Sequence, residues 1–205
     1  MDAQSKTGGS AKACLINCWR SQPTSPQLLF QNSGKIPPIK LQRDTSMIHN
    51  DILRRLRYAL AINDTAAISI FELAGYEMQM EYLHSIMKKE EEAGFVLCRD
   101  KILSIFLDGL IIKLRGKQEG REPVMLAPGV ILTNNDILRK MRIALTLKDD
   151  DILNIMKLAD FKVSKGEVSA FFRNTEHRNY KPCGNQFLRN FLQGLTKRER
   201  PQDSR

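Results

Sequence analysis

Sulfur and imidazole are scarce in this chain, and their scarcity excludes much chemistry. Four cysteines (Cys14, Cys18, Cys98, Cys183) and three histidines are spread over 205 residues, and no Cys-x-x-Cys pair occurs. A zinc centre needs about four nitrogen or sulfur ligands at tight spacing, so no metal site is expected. No run approaches the roughly 18 apolar residues that a membrane span requires, and no secretory signal is visible. The thiols are therefore expected to be reduced in a cytoplasm, with no membrane partner. Gly-rich phosphate loops and a Ser/His/Asp set are also missing. The expectation is a protein that is not an enzyme and carries no cofactor.

What the chain does have, it has twice. Asn50-Asp51-Ile52-Leu53-Arg54 returns as Asn135-Asp136-Ile137-Leu138-Arg139, a spacing of 85 residues. In the same register Asp64 is answered by Asp149, Leu73-Ala74 by Leu158-Ala159, and Cys98 by Cys183. Phe106-Leu107-Asp108-Gly109-Leu110 is answered by Phe191-Leu192-Gln193-Gly194-Leu195. Self-similarity of this length means two copies of one structural unit.

The formal charge of +9 is unevenly divided. Residues 1–46 hold 6 basic and 2 acidic side chains, residues 47–132 hold 11 and 12, and residues 133–205 hold 15 and 9. The basic character thus belongs to the leader and the second repeat, while the first repeat is nearly neutral. The leader, 1–46, is rich in Ser, Gln, Gly, Pro and Lys without apolar periodicity, as expected of a disordered segment. Met47 stands directly before the repeat. It is expected to be the natural start, with the leader an extension; the other reading makes the leader a targeting arm.

Within Asn50–Ile62 the residues Ile52, Leu53, Leu56, Ala59 and Leu60 step three and four apart, one stripe of an amphipathic helix. Asn50 is a candidate N-cap, as are Thr133, Asn134 and Asn135 in the second copy. A second helix is expected from Asp64 to near Gly75, and from Asp149-Asp150-Asp151 to near Asp160. A third is expected at Gln79–Lys89 and Lys165–Asn174, and a fourth from Asp100 to Leu114 and Asn185 to Leu195. Gly109 and Gly194 lie inside the fourth helices, where glycine costs about 1 kcal/mol relative to alanine. Close helix contacts are expected to compensate. The fold class is all-α: two tandem related units of about four helices each, preceded by a disordered leader. The units span 47–116 and 133–198, joined by a linker at 117–132 and followed by a tail at 199–205. They are expected to meet in pseudo-twofold contact across their first helices.

The doubled Asn-Asp-Ile-Leu-Arg opening, the Leu-Ala segment, the cysteine before the last helix and the Phe-Leu-x-Gly-Leu close resemble the YehS-type bacterial family. That family has no known function, and its members carry two such repeats. The resemblance runs from residue 47 to about 198. It implies a helical, cytoplasmic protein and brings no catalytic residues.

One stretch points to a task. Leu158 to Arg173 resembles a helix-turn-helix, in which a second helix offers small polar and basic residues to the major groove of DNA. Ser164 would cap that helix and Val168 with Phe171 or Phe172 would anchor it. Lys165, Ser169 and Arg173 would then face solvent, with Lys162, Arg178 and Lys181 adding phosphate contacts. The turn lacks the usual glycine, with Lys162 in its place. The matching stretch of the first repeat carries Glu77, Glu81 and Glu90-Glu91-Glu92, which would repel phosphate. The bland alternative is a pair of packed bundle helices with solvated charges. The Asp149–Asp151 run is read as helix-dipole compensation rather than a Mg²⁺ site. Cys98 and Cys183, placed where a thiol pKa can fall, are read as packed residues. His49 and His177 show no evident partner. The expected function is a non-catalytic helical binding protein contacting duplex DNA through the second repeat. The alternative is a protein–protein adaptor without nucleic-acid binding, its partner face on the first repeat.

Overall fold

The computed structural model describes residues 47–117, 126–127 and 129–204; the leader and most of the linker lie outside them. Eight α-helices follow one another, with no strand among the described residues. They are α1 (His49–Ala59), α2 (Asp64–Leu73), α3 (Met80–Met87), α4 (Asp100–Arg115), α5 (Asn134–Ala144), α6 (Asp149–Leu158), α7 (Lys165–Phe171) and α8 (Asn185–Glu199). A 3₁₀ turn, Pro201–Ser204, closes the chain. Every helix of the second set starts 85 residues after its counterpart, so the sequence repeat is a structural repeat.

The apolar stripe of α1 buries Ile52, Leu53, Leu56 and Ala59, and α5 buries Ile137, Leu138, Met141 and Ala144 at the same positions. Each helix then turns through a left-handed residue that is not glycine, Ala61 (φ 53°) or Thr146 (φ 55°). Such a conformation costs about 1–2 kcal/mol, and one arginine in each copy offsets it. The Arg57 Nε donates to the Ile62 carbonyl across the first turn, and its guanidinium reaches Asp64 at the start of α2. Arg142 repeats this with Leu147 and Asp149. The second helices end near the expected Gly75 and Asp160, and both residues are left-handed (φ 74° and 55°).

The fourth helices cross the second at backbone contact. A Cβ added at Gly109 would lie 1.8 Å from the Ile70 carbonyl oxygen, and one at Gly194 2.0 Å from that of Ile155. The close contact expected of both glycines is there, and it accounts for their poor helix propensity. On α4, residues 102 to 107 are buried without interruption. A helix packed on one neighbour alone would expose part of that run.

Its second neighbour lies in the other repeat. Helix α4 packs on α5, and reciprocally α8 packs on α1, so each repeat's first helix meets the other's last. This corrects the expected contact of first helix on first helix. The cause is the two-sided burial of α4 and α8, which leaves them faces for α5 and α1. At the α4–α5 seam the Lys140 ammonium is shared between the Asp108 carboxylate and the Ser104 hydroxyl. The two repeats form one compact unit.

Asn50 is not a cap. Ile48 holds the N-cap position of α1, and Asn50 is helical and fully buried. Its amide nitrogen donates to the carbonyls of Ile86 and Val96, both at 2.8 Å, and its oxygen accepts from the Cys98 N–H at 2.9 Å. Asn135 makes the same three bonds, to Phe171, Lys181 and Cys183. Of the capping candidates in the second copy, Thr133 is the cap, in a reciprocal box with Asp136. The asparagines also explain why α3 and α7 are shorter than expected. A side chain from the first helix takes a carbonyl at the end of the third, that of Ile86 in α3 and of Phe171 in α7, and the chain leaves the helix there.

Candidate nucleic-acid interface

The stretch read as resembling a helix-turn-helix, Leu158 to Arg173, comprises the last residue of α6, the turn, and α7 with the two residues after it. Ser164 caps α7 as expected: its hydroxyl accepts from the Glu167 N–H, while the Glu167 carboxylate accepts from the Ser164 N–H. That hydrogen bonding holds the Glu167 carboxyl below the usual carboxylate range. Val168, Ala170 and Phe171 face inward, and the Phe171 ring meets Phe187 edge-on at 4.6 Å. The left-handed turn residue is Asp160, two positions before Lys162. The turn therefore does not depend on a glycine at 162. The loop after α7 folds back on the helix, because the Lys181 N–H donates to the Ala170 carbonyl. The Asn135 amide fixes the same strand of loop through the Lys181 carbonyl.

Lys162, Lys165, Arg178 and Lys181 are exposed, whereas Ser169 and Arg173 are half-buried. Arg173 donates to the Asn179 carbonyl at 3.3 Å, which draws it along the loop rather than straight to solvent. Lys165 forms a 3.0 Å ion pair with Asp150, both side chains well exposed. An exposed pair of this kind is worth well under 1 kcal/mol and is screened by salt, so a phosphate can displace it. Basic and acidic groups are interleaved, because Glu167 shares the first turn of α7 with Lys165 and Asp150 reaches Lys165 from the first turn of α6. With only seven residues, α7 offers few side chains to base edges.

In the first repeat the matching helix α3 exposes Glu81 beside His84, and the following loop exposes Glu90, Glu91 and Glu92. His84 lies 3.1 Å from Asp64, which Arg57 also holds. His49, for which the sequence offered no partner, stands 3.1 Å from the Asp100 carboxylate. Burial nevertheless pushes its pKa below the ordinary value, outweighing the attraction of Asp100. The contact joins the imidazole Nδ1 to the Asp100 carboxylate. In the second repeat an amide pair replaces it, Asn134 donating to Asn185 at 2.8 Å. His177 is satisfied locally, accepting from the Asn179 N–H.

Both thiols of the repeats are buried, and burial pushes the pKa of Cys98 and of Cys183 up to about 12. They are packed residues without nucleophilic character at neutral pH. The three aspartates at the head of α6 each have a protein partner: Arg142 for Asp149, Lys165 for Asp150, and the Lys148 N–H for Asp151. Among the described residues no helix is long and apolar enough to cross a membrane.

Two segments of the chain, residues 49–116 and 134–200, match the family model described as "Protein of unknown function (DUF1456)". They coincide with the two sets of four helices. The chain is 44% identical over 153 residues to the "Uncharacterized protein YehS" of Escherichia coli (strain K12), covering 75% of this chain and 97% of that protein. No solved structure matches the chain.

Proposed function

The chain belongs to the DUF1456 family of unknown function, and from that premise we propose a non-catalytic, cytoplasmic binding protein that contacts duplex DNA through its second repeat. The observation carrying this reading is the charge difference between two copies of one fold. The second repeat carries Lys162, Lys165, Arg173, Arg178 and Lys181 on α7 and its flanking loops, while the corresponding stretch of the first repeat carries Glu77, Glu81 and Glu90-Glu91-Glu92. These side chains suit phosphate contacts, which position a protein on the duplex. The short α7, whose exposed polar residues are Lys165 and Glu167 with Ser169 half-buried, suits at most sparse base readout. Buried thiols with raised pKa support a binding rather than a catalytic task.

The test is fluorescence anisotropy of a labelled duplex across a salt series. Affinity is expected to fall linearly on a log–log plot, with a slope near −0.9 per neutralised phosphate. Lys165→Glu with Arg173→Glu abolishes binding, and so does Lys162→Glu with Lys181→Glu, which leaves the Asp150 pair intact. Substitutions at Met80 and Lys88 in the first repeat leave binding unchanged. Absence of saturable binding at low salt, or binding that survives both reversals, refutes the reading.

The adaptor reading has one observation in its favour. Val96, Leu97, Val130 and Ile131 are exposed, Ile131 by 75%. Leu97, Val130 and Ile131 line one concavity of ≈ 740 Å³ beside His49 and Asp100. Binding of a protein there would be insensitive to salt, in contrast to phosphate contact.

A further inference from the structure

The pseudo-symmetry of the repeats creates two equivalent helix seams, α4 on α5 and α8 on α1, and their chemistry differs. At the first seam Lys140 is neutralised by Asp108 and held by Ser104, and Arg115 donates to the Ile143 carbonyl at 3.2 Å. In the 85-residue register, Arg55 stands for Lys140, Gln193 for Asp108, Arg189 for Ser104, Tyr58 for Ile143 and Arg200 for Arg115. The second seam has thus lost its carboxylate, gained an additional cation at Arg189, and put an aromatic ring where the first has isoleucine.

Arg54, Arg55, Lys197 and Arg200 line a groove of ≈ 430 Å³ there with Tyr58 and Gln193, and no acidic side chain is among its lining residues. Three of the cations, Arg54, Lys197 and Arg200, are positioned rather than floppy. Arg54 is held by Asp51 and by the carbonyls of Met87 and Lys88. Lys197 donates to the Leu158 carbonyl at 2.8 Å and lies 3.8 Å from Asp160. The Arg200 guanidinium sits 4.3 Å over the Tyr58 ring. Arg55 is exposed and has no ion-pair partner among the described residues. Asp51 and Asp160 offset Arg54 and Lys197 from outside the groove, which leaves Arg55 a cation that no carboxylate among the described residues offsets and that an anion in the groove would join.

We propose that the α1–α8 groove binds a small phosphate-bearing ligand. Arg55 supplies the guanidinium fork for its oxygens, Lys197 and Arg200 supply further charge, and the exposed side of Tyr58 supports the body of the ligand. The site uses none of the α7 residues, so it stands or falls separately from the DNA reading.

Isothermal titration of the full chain with pyrophosphate at low salt tests it, and one saturable site is expected. Arg55→Gln with Lys197→Gln weakens binding tenfold or more, while Lys162→Gln with Lys181→Gln leaves it unchanged. Gln193→Asp restores the carboxylate that the other seam carries at Asp108. It gives Arg55 an internal partner, so the melting temperature holds or rises while pyrophosphate affinity falls tenfold or more. A site lost in a protein that melts normally cannot be blamed on misfolding. The proposal is overturned by absence of saturation, by binding that survives both Gln193→Asp and the Arg55/Lys197 pair, or by equal loss in the Lys162/Lys181 control.

Discussion

Replacing Asn50 by leucine should remove a large part of the stability of the helical unit. The change keeps the side chain's approximate size and shape, so the loss is of hydrogen bonds rather than volume. Three backbone groups lose their partner: the Ile86 and Val96 carbonyls and the Cys98 N–H. Ile86 and Cys98 are buried, whereas Val96 is 39% exposed and its carbonyl can turn to water. Two buried groups left unpaired, at about 1–3 kcal/mol each, give about 2–6 kcal/mol. A domain has about 5–15 kcal/mol in total. Urea unfolding followed by circular dichroism measures this directly. With a slope of about 2 kcal/mol per molar, the midpoint should fall by about 1–3 M. Asn135→Leu should behave alike, since Asn135 makes the same three bonds. Asn50→Asp should be no better at pH 7, because a carboxylate would face two carbonyl oxygens. A midpoint shift below about 0.5 M at unchanged slope would refute the view that these amides tie the third helix to the first.

Gly109→Ala and Gly194→Ala should each destabilise despite the better helix propensity of alanine, because the methyl would meet the Ile70 or Ile155 carbonyl at 1.8 or 2.0 Å. A loss of about 2 kcal/mol or more in the same urea assay is expected, as for other overpacked sites; a stabilised variant would contradict the observed crossing. Cys98 and Cys183, with thiol pKa values pushed up to about 12 by burial, should resist a maleimide at pH 7 in the native protein and react on unfolding. Peptide mapping by mass spectrometry reads this, and rapid native labelling of either would overturn it. Hydrogen bonds from Arg57, then from His84, hold the Asp64 carboxyl below the usual carboxylate range. Its folded pKa is depressed, so its contribution is present above about pH 4 and is lost as pH falls through the lower folded value. The stability gap between wild type and Asp64→Asn should therefore narrow below pH 4, and a gap independent of pH would count against the Arg57–Asp64 link.

The comparison of sequence and structure turns on the range of the interactions concerned. Helix existence and most starts were legible, because apolar spacing, the Ser164 cap and the Gly75 stop act within a few residues. The 85-residue register made the second copy a check on the first. Gly109 and Gly194 were readable as close contacts because a glycine within a helix has a local cost that must be offset somewhere. Helix ends were less legible where a distant side chain decides them, as Asn50 does for α3.

By itself the sequence determined the all-α class, the two units, the unequal division of charge and the helix faces that must be buried. Those properties follow from local backbone preference and from the 3.6-residue period, which need no knowledge of neighbours. Only the tertiary structure decided which helix each face meets. A stripe such as that of α1 states that it must be covered and not by what, and both α5 and α8 offered apolar cover. The same holds for Asn50 against Cys98, for His49 against Asp100, and for the seam where Gln193 stands opposite Arg55. Each joins residues far apart in the chain, and their meeting is set by the packing of α4 and α8 between the repeats, which apolar spacing along one helix does not encode.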